Sequence, residues 1–378
     1  MNNVVKLTQE LVAMPSPSYQ NNVAISEFLK TEMETAGFMV EWVEYRDDNN
    51  ERKVSLIGKK GEIKTGKKGG IGFFGHSDTV PPGTPGDGVY WEPFTPIQEN
   101  GRIIGRGSCD MKGPVAASII AGAQVDAAQL NCPIYVIVTA DEEQGYGGAK
   151  QVVEESKLLA EGWPDYVIVC EPTEMEPVYA HKGGTHVSVV AHGVSAHTST
   201  EKGTSSNFLI APFLAEMAEL RTIFMEDKRF QNDEFTPPTN GFNMVLNDGG
   251  TASNVTAART QCRLSLRRMP NDNIDIAVGM IMERAAKYNL EVSTKTSGPF
   301  YVERDADVVK LACAASGVAR GKTVPFGTEA VVYQDYAQTV VMGPGNIAQA
   351  HTIGEWVDVG QLERAVEVYG RLIEQVCL

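Results

Sequence analysis

Short apolar runs that end in histidine or acidic residues constrain the fold of this chain most strongly. The first run, residues 70–74, leads into Gly75-His76-Ser77-Asp78 and predicts a buried strand. Two later runs, residues 133–140 and 163–170, end in Asp141-Glu142-Glu143 and Glu171-Pro172-Thr173. In open α/β sheets ligands bind at the carboxyl ends of the strands, so we expect these polar side chains to lie together.

The order of the predicted elements indicates an α/β fold with two domains, since 378 residues exceed what one hydrophobic core usually serves. From about residue 182 the pattern changes to two amphipathic helices and about four strands, and after residue 298 the first pattern resumes. We therefore predict a sheet-centred domain flanked by helices, built from residues 1–181 and 297–378. A smaller α+β domain of two helices and four strands, residues 182–296, is inserted into it. Residues 59–69 predict a solvated loop.

Composition excludes several classes of partner. A formal net charge of −15 argues against nucleic acid and against an anionic membrane surface as partners.

The six cysteines show no C-x-x-C spacing and are expected to be reduced, intracellular thiols. The first 14 residues lack a signal peptide's apolar region, and no stretch approaches the roughly 20 apolar residues of a membrane span. We expect a cytoplasmic protein.

The residues at the predicted strand ends, together with Asp110 and a late histidine, form a candidate metal-binding set: His76, Asp110, Glu142, Glu143, Glu171 and His351. Two imidazoles with three or four carboxylates suit zinc, with cobalt and manganese as alternatives. Their number favours two ions sharing a bridging carboxylate over one ion. Asp78 lies two residues after His76 on the same side of an extended segment, where it can orient the imidazole ring. Two simpler interpretations remain: solvated loop charges, and a helix N-cap for Asp110.

Five motifs in this order resemble those of a known family. They are Gly75-His76-Ser77-Asp78, the glycine-containing loop from Gly105 to Gly113, Asp141-Glu142-Glu143, Cys170-Glu171-Pro172 and Gln349-Ala350-His351. The family comprises dinuclear metal-dependent amidohydrolases and exopeptidases, including acetylornithine deacetylases, succinyl-diaminopimelate desuccinylases, aminoacylases and glutamate carboxypeptidases. The resemblance covers essentially the whole chain.

The resemblance implies roles for the residues of the set. His76, Asp110 and Glu171 would hold one metal ion, and Asp110, Glu143 and His351 would hold the other. Glu142 would act as the general base, and the peptide bond after Asp110 would be cis.

The resemblance also extends to the inserted domain, which it implies to be a lid and dimerisation domain. His197, in Gly193-Val194-Ser195-Ala196-His197, would reach the active site of the partner in a homodimer and stabilise the oxyanion. The alternative is an ordinary polar residue on a loop. Asn254 and Arg267 would hold the substrate carboxylate, although Arg268 could replace Arg267.

The implied activity is hydrolysis of an N-acyl amino acid, in which metal-bound hydroxide attacks the acyl carbon. The segment with Thr328 and Glu329 resembles acetylornithine deacetylases, which favours N-acetyl-L-ornithine. The Glu329 carboxylate could bind the substrate ammonium, or it could be a solvated loop charge. Alternatives are a desuccinylase, a metallo-dipeptidase or carboxypeptidase, and a catalytically silent metal- or amino-acid-binding protein.

Overall fold

The computed structural model describes residues 3–64, 66, 69–83, 91–270 and 273–378, so the predicted loop at 59–69 lies partly outside the described residues. The chain divides into two units. Unit 1 comprises Met1–Tyr179, Val302–Lys322 and Thr328–Leu378, and unit 2 comprises Ala180–Tyr301 and Thr323–Gly327. These divisions lie within a few residues of the predicted domain limits, except that Thr323–Gly327 joins unit 2.

The helices and strands of the described residues follow in chain order. The helices are α1 (Val4–Val12), α2 (Val23–Thr35), α3 (Gly113–Ala123), α4 (Gly147–Glu155), α5 (Lys157–Glu161), α6 (Ser206–Glu226), α7 (Ile274–Lys287), α8 (Asp307–Ser316), α9 (Ala330–Tyr333) and α10 (Val359–Cys377). The strands are β1 (Met39–Arg46), β2 (Arg52–Lys60), β3 (Ile71–His76), β4 (Ile97–Glu99), β5 (Arg102–Ile104), β6 (Ile134–Thr139), β7 (Tyr166–Pro172), β8 (Val178–His181), β9 (Gly184–His192), β10 (Asn243–Asn247), β11 (Arg259–Leu266), β12 (Glu291–Ser297), β13 (Phe300–Tyr301), β14 (Lys322–Val324), β15 (Gln338–Gly343) and β16 (Trp356–Asp358).

Unit 1 is built on a central sheet in which β1, β2, β6, β3, β7 and β15 are successive neighbours. The strands β6, β3, β7 and β15 run parallel, whereas β1 and β2 extend the sheet in antiparallel fashion. A small antiparallel sheet of β16, β5 and β4 joins late and early parts of the chain. The parallel strands therefore place their carboxyl ends at one edge of the sheet.

Helices and aromatic side chains cover both faces of β3, which explains why all six of its residues are buried. Consecutive strand residues point to opposite faces. The Phe73 ring lies 4.8 Å from that of Tyr369 in α10, and the Phe74 ring lies 4.8 Å from that of Tyr333 in α9. A continuous apolar sequence is therefore what this strand requires.

Unit 2 contains a four-stranded antiparallel sheet in the order β10-β11-β9-β12, against which α6 and α7 pack. Burial alternates along β11, with Cys262, Leu264 and Leu266 facing the core. This core also contains Phe213 and Phe224 of α6. The predicted two-helix, four-strand α+β pattern is confirmed, as is the α/β class of the whole chain.

The loop that contains Asp110 leads into α3. A short irregular helical turn, Ser108–Lys112, comes first, and the backbone of Asp110 and Met111 departs from helical angles within it. The regular helix begins only at Gly113 and ends at Ala123.

No helix among the described residues is long and apolar enough to cross a membrane.

Candidate active site

The parallel strands of unit 1 bring the predicted strand-end residues to one edge of the sheet. His76 ends β3 and pairs with Thr139 at the end of β6. Glu142 and Glu143 follow β6 in a single 3₁₀ turn, and Glu171 lies near the end of β7. His351 lies in the loop after β15. Side chains from four separate chain segments therefore converge because of the parallel topology.

Asp110 lies between the two histidines of the set. Its Oδ1 is 3.1 Å from His76 Nε2, and its Oδ2 is 3.2 Å from His351 Nε2. The peptide bond between Asp110 and Met111 is cis. One carboxylate thus presents a separate oxygen to each imidazole, which is the arrangement that a bridging ligand requires.

Each histidine has a further carboxylate beside it. His351 Nε2 lies 3.1 Å from Glu143 Oε1, and His76 Nε2 lies 3.6 Å from Glu171 Oε1. One potential ligand atom from each of His76, Asp110 and Glu143 lies within 4.8 Å of the other two. The same holds for His76, Glu142 and Glu171, so the position of Glu142 is compatible with a ligand as well as with a base.

The tautomer of His76 fits a metal ligand. Its Nδ1 lies 2.9 Å from the backbone oxygen of Asp78, and because a carbonyl oxygen only accepts, Nδ1 carries the proton. Burial lowers the pKa of this ring, but the contacts with Asp110 and Asp78 outweigh burial and raise the pKa well above its usual value. Nε2 therefore faces Asp110 and Glu171 at a position that favours positive charge, where a metal ion would replace the proton.

The electrostatics of the site also fit divalent cations. Burial raises the pKa of Glu142 well above its usual value, and repulsion from Glu171 and Glu143 adds to the shift although His76 opposes it. Burial and the Asp110 charge raise the pKa of Glu171 in the same way. Hydrogen bonds to Asp110 and Glu143 raise the pKa of His351 to about 10. Carboxylates this crowded and this buried attract positive charge.

The carboxylate of Asp78 holds the turn that carries Glu142 and Glu143. Its Oδ1 accepts a hydrogen bond from the backbone N–H of Glu142 at 3.2 Å, and its Oδ2 accepts from Ser18 Oγ at 2.7 Å. Oδ1 is 3.5 Å from His76 Nδ1, farther than the backbone oxygen of the same residue. The contact to His76 is therefore made chiefly by the main chain of Asp78.

Unit 2 brings two of its three predicted residues together. The backbone N–H of Thr198, next to His197, donates to the backbone oxygen of Asn254 at 3.0 Å. His197 is exposed, and its Nδ1 lies 2.8 Å from Ser199 Oγ. Arg267 is exposed at the end of β11, whereas Arg268 donates to Asp275 at 2.7 Å. This ion pair makes Arg267 the better candidate of the two arginines.

Thr328 and Glu329 are buried rather than exposed on a turn. Thr328 Oγ1 accepts from the backbone N–H of Ala330, and Glu329 Oε2 accepts from Thr139 Oγ1 at 2.7 Å. The Glu329 side chain is 0 % exposed, and burial raises its pKa to about 7. The interpretation of Glu329 as a solvated loop charge is therefore wrong, and a contact with substrate would require this carboxylate to become accessible.

Sequence analysis did not identify three polar residues that support the site. Ser18 donates to Asp78. Glu355 accepts a hydrogen bond from the backbone N–H of Asp110 and forms an ion pair with Arg106. Arg106 lies within a motif that drew attention to Asp110 alone. Glu355 could have been considered from the sequence, because it is a carboxylate only four residues after His351.

Comparison with known proteins gives a consistent result. The model of peptidase family M20/M25/M40 matches residues 72–375. An acetylornithine deacetylase from Myxococcus xanthus is 32% identical over 379 residues, which cover 97% of this chain and 96% of that protein.

Solved structures share the fold at low sequence identity. An M20 family metallo-carboxypeptidase from Sulfolobus solfataricus has a TM-score of 0.74 at 17% identity and covers 99% of both chains. A dinuclear metal-binding M20 peptidase from Bacillus subtilis has a TM-score of 0.64 at 14% identity, covering 99% of this chain and 97% of that one.

Proposed function

The chain belongs to peptidase family M20/M25/M40, and we propose that it hydrolyses N-acetyl-L-ornithine to ornithine and acetate. Membership and the similarity to acetylornithine deacetylases make it a metal-dependent amidohydrolase. The observation that carries the reaction type is the Asp110 carboxylate, which presents one oxygen to His76 and the other to His351. The substrate rests on the 32% identity with the Myxococcus xanthus enzyme.

Five residues are proposed to hold two divalent ions. His76 and Glu171 would belong to one ion, His351 and Glu143 to the other, and Asp110 to both. The mixed nitrogen and oxygen donors suit zinc, with cobalt and manganese as alternatives. When bound, such ions polarise an amide carbonyl and make water more acidic.

Glu142 is the proposed general base. Its carboxylate lies in the buried cluster, where its raised pKa suits it to take a proton from water and pass it to the leaving amine. The hydrogen bond from its backbone N–H to Asp78 fixes the turn from which the side chain projects. Asp78 would therefore position the general base Glu142 as well as the His76 ring.

Unit 2 is proposed to supply the groups that hold the substrate. Arg267 would bind the substrate carboxylate through its guanidinium, Asn254 would assist through its amide, and His197 would stabilise the oxyanion. His197 would act in the partner's active site within a homodimer. The protein would work in the cytoplasm, without nucleic acid or membrane partners.

Glu329 is the weakest member of the proposed substrate site. Its carboxylate already accepts from Thr139, and a pKa of about 7 leaves it partly protonated at neutral pH. Thr328, which accepts from the main chain, would contribute only shape. Glu329→Gln should reduce the preference for N-acetyl-ornithine over N-acetyl-methionine if the carboxylate contacts the ammonium. An unchanged preference would remove Glu329 from the substrate site.

A hydrolysis panel tests the proposed function. Metal-loaded protein is assayed with N-acetyl-ornithine, N-acetyl-methionine, N-succinyl-diaminopimelate and a set of dipeptides, with and without chelator. We expect the highest kcat/KM for N-acetyl-ornithine and loss of activity with chelator. Glu142→Gln protein purified in parallel controls for host enzymes. A preference for the succinylated substrate or for dipeptides would assign the chain to another activity of the family, and no hydrolysis at all would favour a binding protein.

A further inference from the structure

The main chain around Asp110 departs from regular helical geometry. Asp110 has φ −126° and ψ 94°, and Met111 has φ −138° and ψ 37°, both outside helical geometry. The backbone N–H groups of Cys109 and Asp110 donate instead to one side-chain atom, Glu355 Oε1, each at 3.0 Å. Glu355 lies 245 residues further along the chain. A distant carboxylate thus fixes the two peptide groups that precede the Asp110 side chain.

Glu355 is itself held by a buried arginine. Arg106 Nη1 donates to Glu355 Oε2 at 2.6 Å, and both side chains are at most 2 % exposed. The backbone N–H of Gly105 donates to the backbone oxygen of Glu355 at 2.8 Å. Both carboxylate oxygens therefore have partners, which is the condition for keeping a charge buried. The carboxylate also lies beside the like-charged Asp110, so Arg106 offsets a repulsion as well as satisfying Oε2.

We propose that Glu355, held by Arg106, is a positioning residue that sets Asp110 for metal binding. The proposal rests on the proposed role of Asp110 as the shared ligand. Oδ1 and Oδ2 of Asp110 each face a different histidine, so a small rotation of its main chain would turn one oxygen away from the ion that it would share with that histidine. Fixing the N–H groups of residues 109 and 110 removes that freedom before any ion binds. Removal of such support typically lowers metal affinity about 10- to 100-fold.

Glu355→Gln is the direct test, because glutamine keeps the shape and removes the second acceptor. In one orientation the amide oxygen accepts from the two N–H groups, and its NH₂ group then faces the Arg106 guanidinium. In the other orientation the NH₂ group faces the two N–H groups. Either way, two hydrogen-bond donors face each other. We expect Co²⁺ to bind about 10- to 100-fold more weakly, measured by calorimetry, with a changed visible absorption spectrum of the bound ion. Co²⁺ affinity within threefold of the wild type would overturn the proposal.

Glu41→Gln is the matched control. The Glu41 carboxylate also accepts from two consecutive backbone N–H groups, those of Lys157 and Leu158, at 2.9 and 3.1 Å. It lies on β1, an outer strand of the sheet. The Co²⁺ affinity of the Glu41→Gln variant should equal that of the wild type. A loss as large as that of Glu355→Gln would mean that loosening any such contact weakens the site, and would overturn the specific role of Glu355.

Arg106→Lys provides an independent test if circular dichroism shows that Glu355→Gln does not fold. Lysine keeps the charge but not the planar guanidinium, so Co²⁺ affinity should fall about three- to tenfold. If Glu355→Gln does fold, the two changes should be non-additive in the double variant, because Arg106 acts through Glu355. Wild-type affinity in folded Arg106→Lys would refute the proposal. If the wild type does not bind Co²⁺, the premise that Asp110 is a shared metal ligand is refuted. If the wild type binds Co²⁺ but does not hydrolyse N-acetyl-ornithine, only the proposed function is refuted.

Discussion

Glu142 is the single residue on which the proposed proton transfer depends. Glu142→Gln should retain the fold and bind metal, but its turnover should fall about 10²- to 10⁴-fold because an amide cannot take a proton from water. Steady-state kinetics together with metal analysis measures both properties. Glu174→Gln, at an exposed carboxylate of the same unit, is the control and should be fully active. Turnover above about a tenth of the wild type at unchanged metal content would exclude Glu142 as the base.

Glu329 makes the stability of the metal-free protein depend on pH. Burial raises its pKa from 4.5 to about 7, so between these values the folded chain binds more protons than the unfolded chain and loses stability as pH rises. Glu329→Gln removes this penalty, and should gain up to about 3 kcal/mol relative to the wild type between pH 4.5 and 7. Urea unfolding with chelator at several pH values measures the difference. Glu363→Gln, at an exposed carboxylate, should show no such trend; the same pH dependence in both variants would contradict the assignment to Glu329.

The loop after β15 contributes His351, whose Nε2 faces both Asp110 and Glu143. His351→Ala should therefore reduce bound metal towards one ion per chain, because the second proposed site loses its imidazole. Metal analysis after dialysis gives the stoichiometry. His192→Ala is a suitable control, since that exposed histidine pairs with Glu291 in unit 2. Two tightly bound ions in His351→Ala would exclude it as a ligand.

One of the two outer strands of the unit 2 sheet, β10, exposes apolar side chains. All five residues of β10 are exposed, including Leu246, which is 50 % exposed. Phe208, near the start of α6, is 83 % exposed, and its neighbour Asn207 donates to Asp248 just beyond β10. An outer strand and a helix with exposed apolar side chains fit the proposed homodimer.

Leu246→Lys should then weaken dimerisation, because a charge would be buried in the interface, and should leave the monomer folded. Sedimentation velocity over a range of concentrations measures the association. Met282→Lys is the matched control, since Met282 is 46 % exposed on α7 of the same unit. A wild-type protein that remains monomeric at micromolar concentration would refute the homodimer, and equal weakening in both variants would refute the assignment to β10.

At the scale of the molecule, the elements that can be predicted from the sequence are those with a local pattern of apolar residues. The apolar runs of β3, β6 and β7 and the residues at their ends are evident because parallel strands covered on both faces must be apolar. The sequence does not reveal that Arg106 pairs with Glu355, or that β16 joins β5, because contacts between distant segments leave no periodic pattern. The same holds for the irregular turn before α3, where the backbone N–H groups of Cys109 and Asp110 donate to the distant Glu355.

The last prediction concerns the proposed division of labour between subunits. Glu142 belongs to unit 1 and His197 to unit 2. If His197 acts in the partner's active site, a hybrid of one Glu142→Gln and one His197→Ala subunit contains one site with both residues intact. Each variant alone should have reduced turnover. Mixing them in equal amounts should therefore restore up to about a quarter of wild-type activity, since half of the dimers are hybrids and each hybrid has one complete site.

Subunit exchange must be demonstrated, for example by native mass spectrometry of differently tagged chains. Each variant mixed with itself is the control, and His197→Ala alone should bind metal normally, because His197 is not among the proposed ligands. If hybrids form but activity does not return, His197 acts within its own chain or takes no part in catalysis. Activity restored in the hybrid would explain why an amidohydrolase of this kind needs its second unit, since each chain would then complete the active site of the other.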